Sequence, residues 1–201
     1  EPNPPRDPHP DPNPRAAMRA TDPDRSDAWT LAYDGFDADA EGLREALCTL
    51  GNGRFATRGA AEEASADGVH YPGTYIAGGY NQLASDIAGR TVVNEDLVNL
   101  PNWLPLTFRP EDGEWLESGN VELLELRREL RMAEGVLYRR MRIRDANGRV
   151  TTVESRRIVS MRDPFLAAIE YGITPENWGG AVRVRSLIDG AVRNTGVARY
   201  R

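Results

Sequence analysis

The chain has 201 residues, 40% hydrophobic and 28% charged, with a formal net charge of -6 at pH 7. That is enough for one sizeable domain of ordinary globular composition, and the acidic balance argues against a nucleic-acid binder, which would carry a basic stripe. A single cysteine, Cys48, excludes an internal disulfide framework, and no apolar run approaches the roughly 18 residues that cross a bilayer.

Residues 1–28 differ from the rest. Proline stands at nearly every second place from Pro2 to Pro14. It lacks a donor and fixes φ, so the segment reads as an extended polyproline II linker or tail. Order starts at a short alternating strand over Trp29–Tyr33. Residues 41–48 read as one helical turn or as the approach to a strand. Gly51-Asn52-Gly53 is a turn that presents Asn52 and positions Arg58. Residues 60–68 are small and polar and read as a loop. A strand is expected over 72–81, then a long irregular segment over 82–102, then a strand around Trp103–Phe108 between prolines.

The second half reads as a succession of strands with turn signals between them. Asp112-Gly113 and Asn147-Gly148 are hairpin signals, the second flanked by strands over 138–144 and 150–161. Phe165, Ala167, Ile169, Tyr171 and Ile173 share one strand face. Val182, Val184, Ser186 and Ile188 share another, opposite Arg183 and Arg185, before a turn at Asp189-Gly190. The segment 121–132 is ambiguous. Its leucines and its Glu/Arg spacing favour a helix with i,i+4 pairs. Frequent short strands with turns point to an antiparallel sandwich.

Candidate chemistry is sparse. His9, His70 and Cys48 are far apart in sequence, so no metal set is evident. His70 alone reads as a surface or hydrogen-bonding residue rather than a catalytic one. Glu62-Glu63 and Glu95-Asp96 read as solvated loop pairs, and Arg139, Arg140, Arg142 and Arg144 as the solvated face of a strand. Gly51-Asn52-Gly53 lacks the Gly-Lys-Ser/Thr ending of a phosphate loop. Trp103, Trp115 and Trp178 could stack on a sugar, but packing in the core or against a further domain is the preferred reading for Trp103.

Three phrases carry a resemblance: Thr49-Leu-Gly-Asn-Gly53 running on to Thr57-Arg58-Gly59, Tyr71-Pro-Gly-Thr-Tyr75, and Leu97-Val-Asn-Leu-Pro-Asn-Trp103. Gly135-Val136-Leu137 with Arg139, Ser155 to Met161, and Ile173 to Asn177 follow in order. Together they resemble the N-terminal domain of glycoside hydrolase family 65, the family of trehalose, maltose and kojibiose phosphorylases. Arg54 and Cys48 depart from the aromatic or aliphatic residues usual there. The resemblance implies an all-β fold, an antiparallel β-sandwich of the galactose-mutarotase-like or supersandwich type, incomplete at the C-terminus. It favours strand over helix for 121–132.

It also implies that residues 29–201 are the non-catalytic first domain of an inverting α-glucoside phosphorylase or hydrolase acting on a disaccharide such as trehalose or maltose. The catalytic acid, the glucose-binding residues and most of the phosphate site would lie in a downstream (α/α)6 barrel, so no catalytic residue is assigned here. Asn52, Arg58, Asn99, Asn102 and Trp103 are the candidates for facing substrate or barrel. No metal or organic cofactor is expected, with inorganic phosphate as co-substrate if the enzyme is a phosphorylase. A homodimer is compatible, and no nucleic-acid or membrane partner is expected. A cytoplasmic setting fits the absence of a signal-peptide pattern. The start at Glu1 and the end within a β-branched pattern suggest a piece of a longer protein. The alternative from another class is a stand-alone carbohydrate-binding or interaction module.

Overall fold

The computed structural model describes residues 28–192 and 194, so nearly all of the proline-rich segment lies outside the described residues. In chain order the elements are β1 (Thr30–Asp34), α1 (Ala38–Leu47), β2 (Leu50–Gly51), β3 (Phe55–Thr57), β4 (Thr74–Ile76), β5 (Tyr80–Ile87), β6 (Arg90–Leu97), β7 (Leu106–Pro110), β8 (Glu122–Arg131), β9 (Val136–Arg144), β10 (Val150–Val159), β11 (Ala167–Pro175) and β12 (Val182–Ser186). The main layer is a five-stranded antiparallel sheet in the order β1-β8-β9-β10-β11. The sheets β2-β3-β4 and β7-β12 lie on its inner face, and β5-β6 is a separate two-stranded ribbon.

The ambiguous segment 121–132 is the strand β8, as the resemblance favoured. Helical ion pairs would contribute only about 0.2–0.5 kcal/mol each. As a strand, the same residues bury Leu126 and Leu130 on the inner face, at roughly 1.5–3 kcal/mol per leucine. The outer face keeps its charges in pairs. Arg127 reaches Asp34 at 2.9 Å, and Glu129 accepts from Arg127 at 2.6 Å and from Arg131 at 2.9 Å.

Two apolar clusters join the layers. Phe108 of β7 and Leu116 pack with Leu126, Met141, Ile143 and Val153. Cys48 and Leu50 pack with Leu130, Leu137 and Val159, with Phe55 alongside. Residues 41–48 do not stop at one turn. Asp37 caps a ten-residue helix, α1, through Oδ1, which accepts from the amides of Asp39 at 3.1 Å and Ala40 at 3.3 Å.

Several expectations are corrected. The stretch 82–102 is not irregular: β5 and β6 form a hairpin across it, turning at Ala88 (φ 52°) and Gly89 (φ 75°). Both turn residues take the left-handed region that a two-residue type I′ loop demands. The strand expected around Trp103–Phe108 begins only at Leu106, and upstream of it Asn102 forms an isolated bridge with Asp189. Asp112-Gly113 lies in a turn after β7 but closes no hairpin, since β7 pairs with the distant β12. Arg140, Arg142 and Arg144 do line the outer face, whereas Arg139 points inward and is buried. Its neighbours along the strand alternate sides, as pleating requires.

Candidate functional site

Register sets the rows of side chains on the inner face. Leu126, Met141, Val153 and Ile173 stand side by side across four strands. Two residues along each strand, the next row is Arg128, Arg139, Ser155 and Tyr171. Two arginines directly opposite each other repel, so this row needs anions from the facing layer. Helix α1 and the segment after β3 supply them.

Glu41 of α1 accepts from Arg128 NH2 at 2.5 Å. Glu63 accepts from both terminal nitrogens of Arg139, NH1 at 2.9 Å. Glu62 accepts from Arg157 NH2 at 2.6 Å and from Ser155 Oγ at 3.1 Å, and lies 3.6 Å from Arg139 NH1. Arg157 also donates to the carbonyls of Arg58 at 3.1 Å and Ala60 at 2.8 Å, which pins the segment against the sheet. The expectation that Glu62-Glu63 is a solvated pair is therefore overturned. The small residues Ala60, Ala61 and Ala64 are buried with them, and let the loop run beneath the sheet. Glu95, by contrast, is exposed on the ribbon and accepts from Gln82 at 2.5 Å.

Burial alone would push the Glu62 carboxyl up, but Arg157 and Arg139 outweigh it and hold it below the usual carboxylate range. A second carboxylate, Glu45, accepts from the Tyr71 amide at 2.9 Å and lies 3.0 Å from His70 Nδ1. That hydrogen bond, more than any other influence, raises the His70 pKa. His70 is thus a buried hydrogen-bonding residue and not a surface one. Glu41, Glu45 and His70 offer ligand atoms within 4.8 Å of one another, a spacing a metal could use. The donors are already committed, however: Glu41 to Arg128, and Glu45 to His70 and Tyr71. A dication there would also face the guanidinium of Arg128.

A cavity of about 230 Å³ opens beside this row, and Arg128, Arg139, His70, Leu126, Met141 and Val121 are among its lining. Arg128 Nε and NH1 and Arg139 Nε are buried without a hydrogen-bond partner.

The five residues singled out from sequence do not converge. Asn52 is spent inside the fold: its Oδ1 accepts from the amides of Arg54 and Phe55, and its Nδ2 donates to Ser160 O at 2.8 Å. Arg58 donates to Tyr71 O and Gly42 O, each at 2.8 Å, and lies 3.7 Å from Glu45. Asn99 and Asn102 line one hollow of about 350 Å³ with Asp67 and Asp189. There Asn99 accepts from the Thr74 amide at 2.9 Å, and Asn102 accepts from the Leu104 amide at 3.1 Å. Trp103 lines a different hollow with Leu100 and Pro101, and tilts against Phe55 at 6.2 Å between ring centres. Of the other tryptophans, Trp115 lies under Arg185 and Arg109, and Trp178 donates to Thr151 Oγ1 at 2.9 Å. The buried ion-pair row escaped sequence reasoning altogether.

The architecture is thus that of an all-β, antiparallel sandwich domain whose buried charges serve its own two layers. A sequence profile described as glycosyl hydrolase family 65, N-terminal domain, matches residues 31–201, and the chain belongs to that family. An uncharacterized glycosyl hydrolase of Mycobacterium tuberculosis (strain H37Rv) is 53% identical over 175 residues, covering 87% of this chain and 13% of that protein. The kojibiose phosphorylase of Caldanaerobacter subterraneus subsp. tengcongensis is 39% identical over 167 residues, covering 83% of this chain and 20% of that enzyme. Among solved structures, a putative kojibiose phosphorylase from the human microbiome shares the fold with a TM-score of 0.64 at 22% identity, covering 73% of this chain and 20% of that one. The chain thus spans a fifth or less of the length of these relatives.

Proposed function

We propose that this chain is the non-catalytic N-terminal domain of an inverting α-glucoside phosphorylase or hydrolase. The parent enzyme acts on a disaccharide such as kojibiose, trehalose or maltose. Its catalytic acid lies in a further domain of the same polypeptide, expected to be an (α/α)6 barrel. There the acid protonates the glycosidic oxygen, and phosphate or water attacks the anomeric carbon from the opposite face. Inorganic phosphate is the co-substrate in the phosphorolytic case.

One observation carries the assignment. The buried carboxylates of the inner face, Glu41, Glu62 and Glu63, are each held by a guanidinium, and Glu45 by His70. A general acid needs a carboxyl whose pKa is raised and whose proton points at substrate. Glu62, itself fully buried, is shifted the other way. The chemistry of this face is that of a strut. The test is to express the longer polypeptide and screen α-glucobioses with and without phosphate. Release of glucose 1-phosphate, or of glucose, is expected. A longer polypeptide inert on every α-glucobiose would count against the reading.

A binding module is the second reading. It is favoured by the cavity of about 230 Å³ beside Arg128, whose lining includes Leu126, Met141, Ile143 and Val121. Saturable heat on titrating glucosides into the chain would support it, and its absence leaves the scaffold role.

A further inference from the structure

We infer that the hollow lined by Trp103 and Thr74 is an anchor pocket. It receives one large apolar side chain from a further domain of the same polypeptide. The inference rests on the scaffold reading above and names the surface through which it acts.

The hollow has a volume of about 480 Å³. Its walls are apolar: Phe55, Ile76, Leu100, Pro101 and Ala167, with the indole of Trp103 between them. Pro101 and Pro164 have fixed φ, so two of its walls are stiff. Phe165 is 79% exposed and Ile188 77% exposed, and both stand at its edge. Large apolar residues left in water around a ready-made concavity mark a surface meant to be covered.

The same walls define the occupant further. A carboxylate or phosphate would lose its hydration among these walls. The Arg54 guanidinium, the cation at the edge, is stacked 4.6 Å over the Phe165 ring. An uncharged apolar side chain fits these walls. The polypeptide itself is the fitting source, because the chain accounts for only 13–20% of its relatives' length and domains of one chain commonly share interfaces of this kind.

Hydrogen exchange tests this in the 201-residue chain and in the longer polypeptide side by side. Peptides spanning 98–104 and 161–168 should exchange at least tenfold more slowly in the longer form. Phe165→Ser, a change at an exposed position, should remove that protection in the longer form and leave the short chain unchanged. Equal exchange in the two forms overturns the inference. So does protection in the short chain that vanishes on dilution together with a dimer seen by light scattering, since the occupant is then a second copy. The enzyme reading is scored separately by the activity screen: an active longer polypeptide without protection sinks only the anchor, and protection in an inert one sinks only the enzyme.

Discussion

Arg157 and Glu62 lie 95 residues apart in sequence and 2.6 Å apart in space, with each side chain about 2% exposed. This pair fastens the segment after β3 to β10, and so ties the two layers of the sandwich together. Breaking such a pair leaves an uncompensated buried charge. Glu62→Leu or Arg157→Met alone should therefore destabilise the domain by roughly 3–5 kcal/mol. The double variant should recover part of the loss, because Arg139 and Ser155 still lose their contact with Glu62. Urea unfolding of the four proteins of the cycle measures this, and simple additivity of the two single changes would count against the coupling.

Stability should fall off on both sides of a weakly acidic optimum. The Glu62 carboxyl titrates below its usual 4.5 in the fold, so its contribution is present above pH 4.5 and is lost as pH falls through the folded value. His70 titrates above its usual 6.5, so its contribution is full below pH 6.5 and is lost as pH rises through the folded value. His70→Asn should flatten the alkaline limb of Tm against pH, and Glu62→Gln the acid limb. A Tm that rises above pH 6.5 in the parent but not in His70→Asn would contradict the assignment.

What could be read from the sequence divides by range. Turn chemistry and alternation located β9, β10 and β11, because Asn147-Gly148 and the period-two pattern act over a few residues. The β5-β6 hairpin escaped because its turn is Ala88-Gly89, and alanine is not a residue that announces positive φ. In β8, local helix-like charge spacing outvoted alternation, and the resemblance corrected it. The ion-pair row was invisible for a different reason. Arg128 and Glu41 are 87 residues apart and Arg139 and Glu63 are 76, and only register and the path of the loop after β3 bring them together. Adjacent glutamates give no local sign of burial; the flanking Ala60, Ala61 and Ala64 are the one hint, as a run too small and apolar for an ordinary exposed loop.

The ribbon turn offers a stabilising change. Ala88 sits in the left-handed region, which costs an L-residue on the order of 1 kcal/mol. Ala88→Asn creates the preferred Asn-Gly pair for a type I′ turn. Cross-strand amides of β5 and β6 should then exchange roughly fivefold more slowly, the factor equivalent to about 1 kcal/mol. Faster exchange would show that the turn is not as described.

Gly59 allows close passage of the chain under α1. A Cβ there would lie 2.5 Å from Cys48 Cβ and 2.9 Å from the Cys48 carbonyl oxygen. The obstruction includes backbone, so no side-chain rearrangement relieves it. Gly59→Ala should destabilise by about 1–3 kcal/mol, in the range of overpacked cores. An unchanged thermal midpoint would refute this packing.

The most direct test of the scaffold assignment is an assay of the purified 201-residue chain with kojibiose, trehalose or maltose and inorganic phosphate. No glucose 1-phosphate and no free glucose above the buffer blank is the predicted result, with the longer polypeptide active in parallel. Saturable release of either product by the 201-residue chain, abolished by Glu62→Gln or Glu63→Gln, would place catalysis on this sandwich and contradict it.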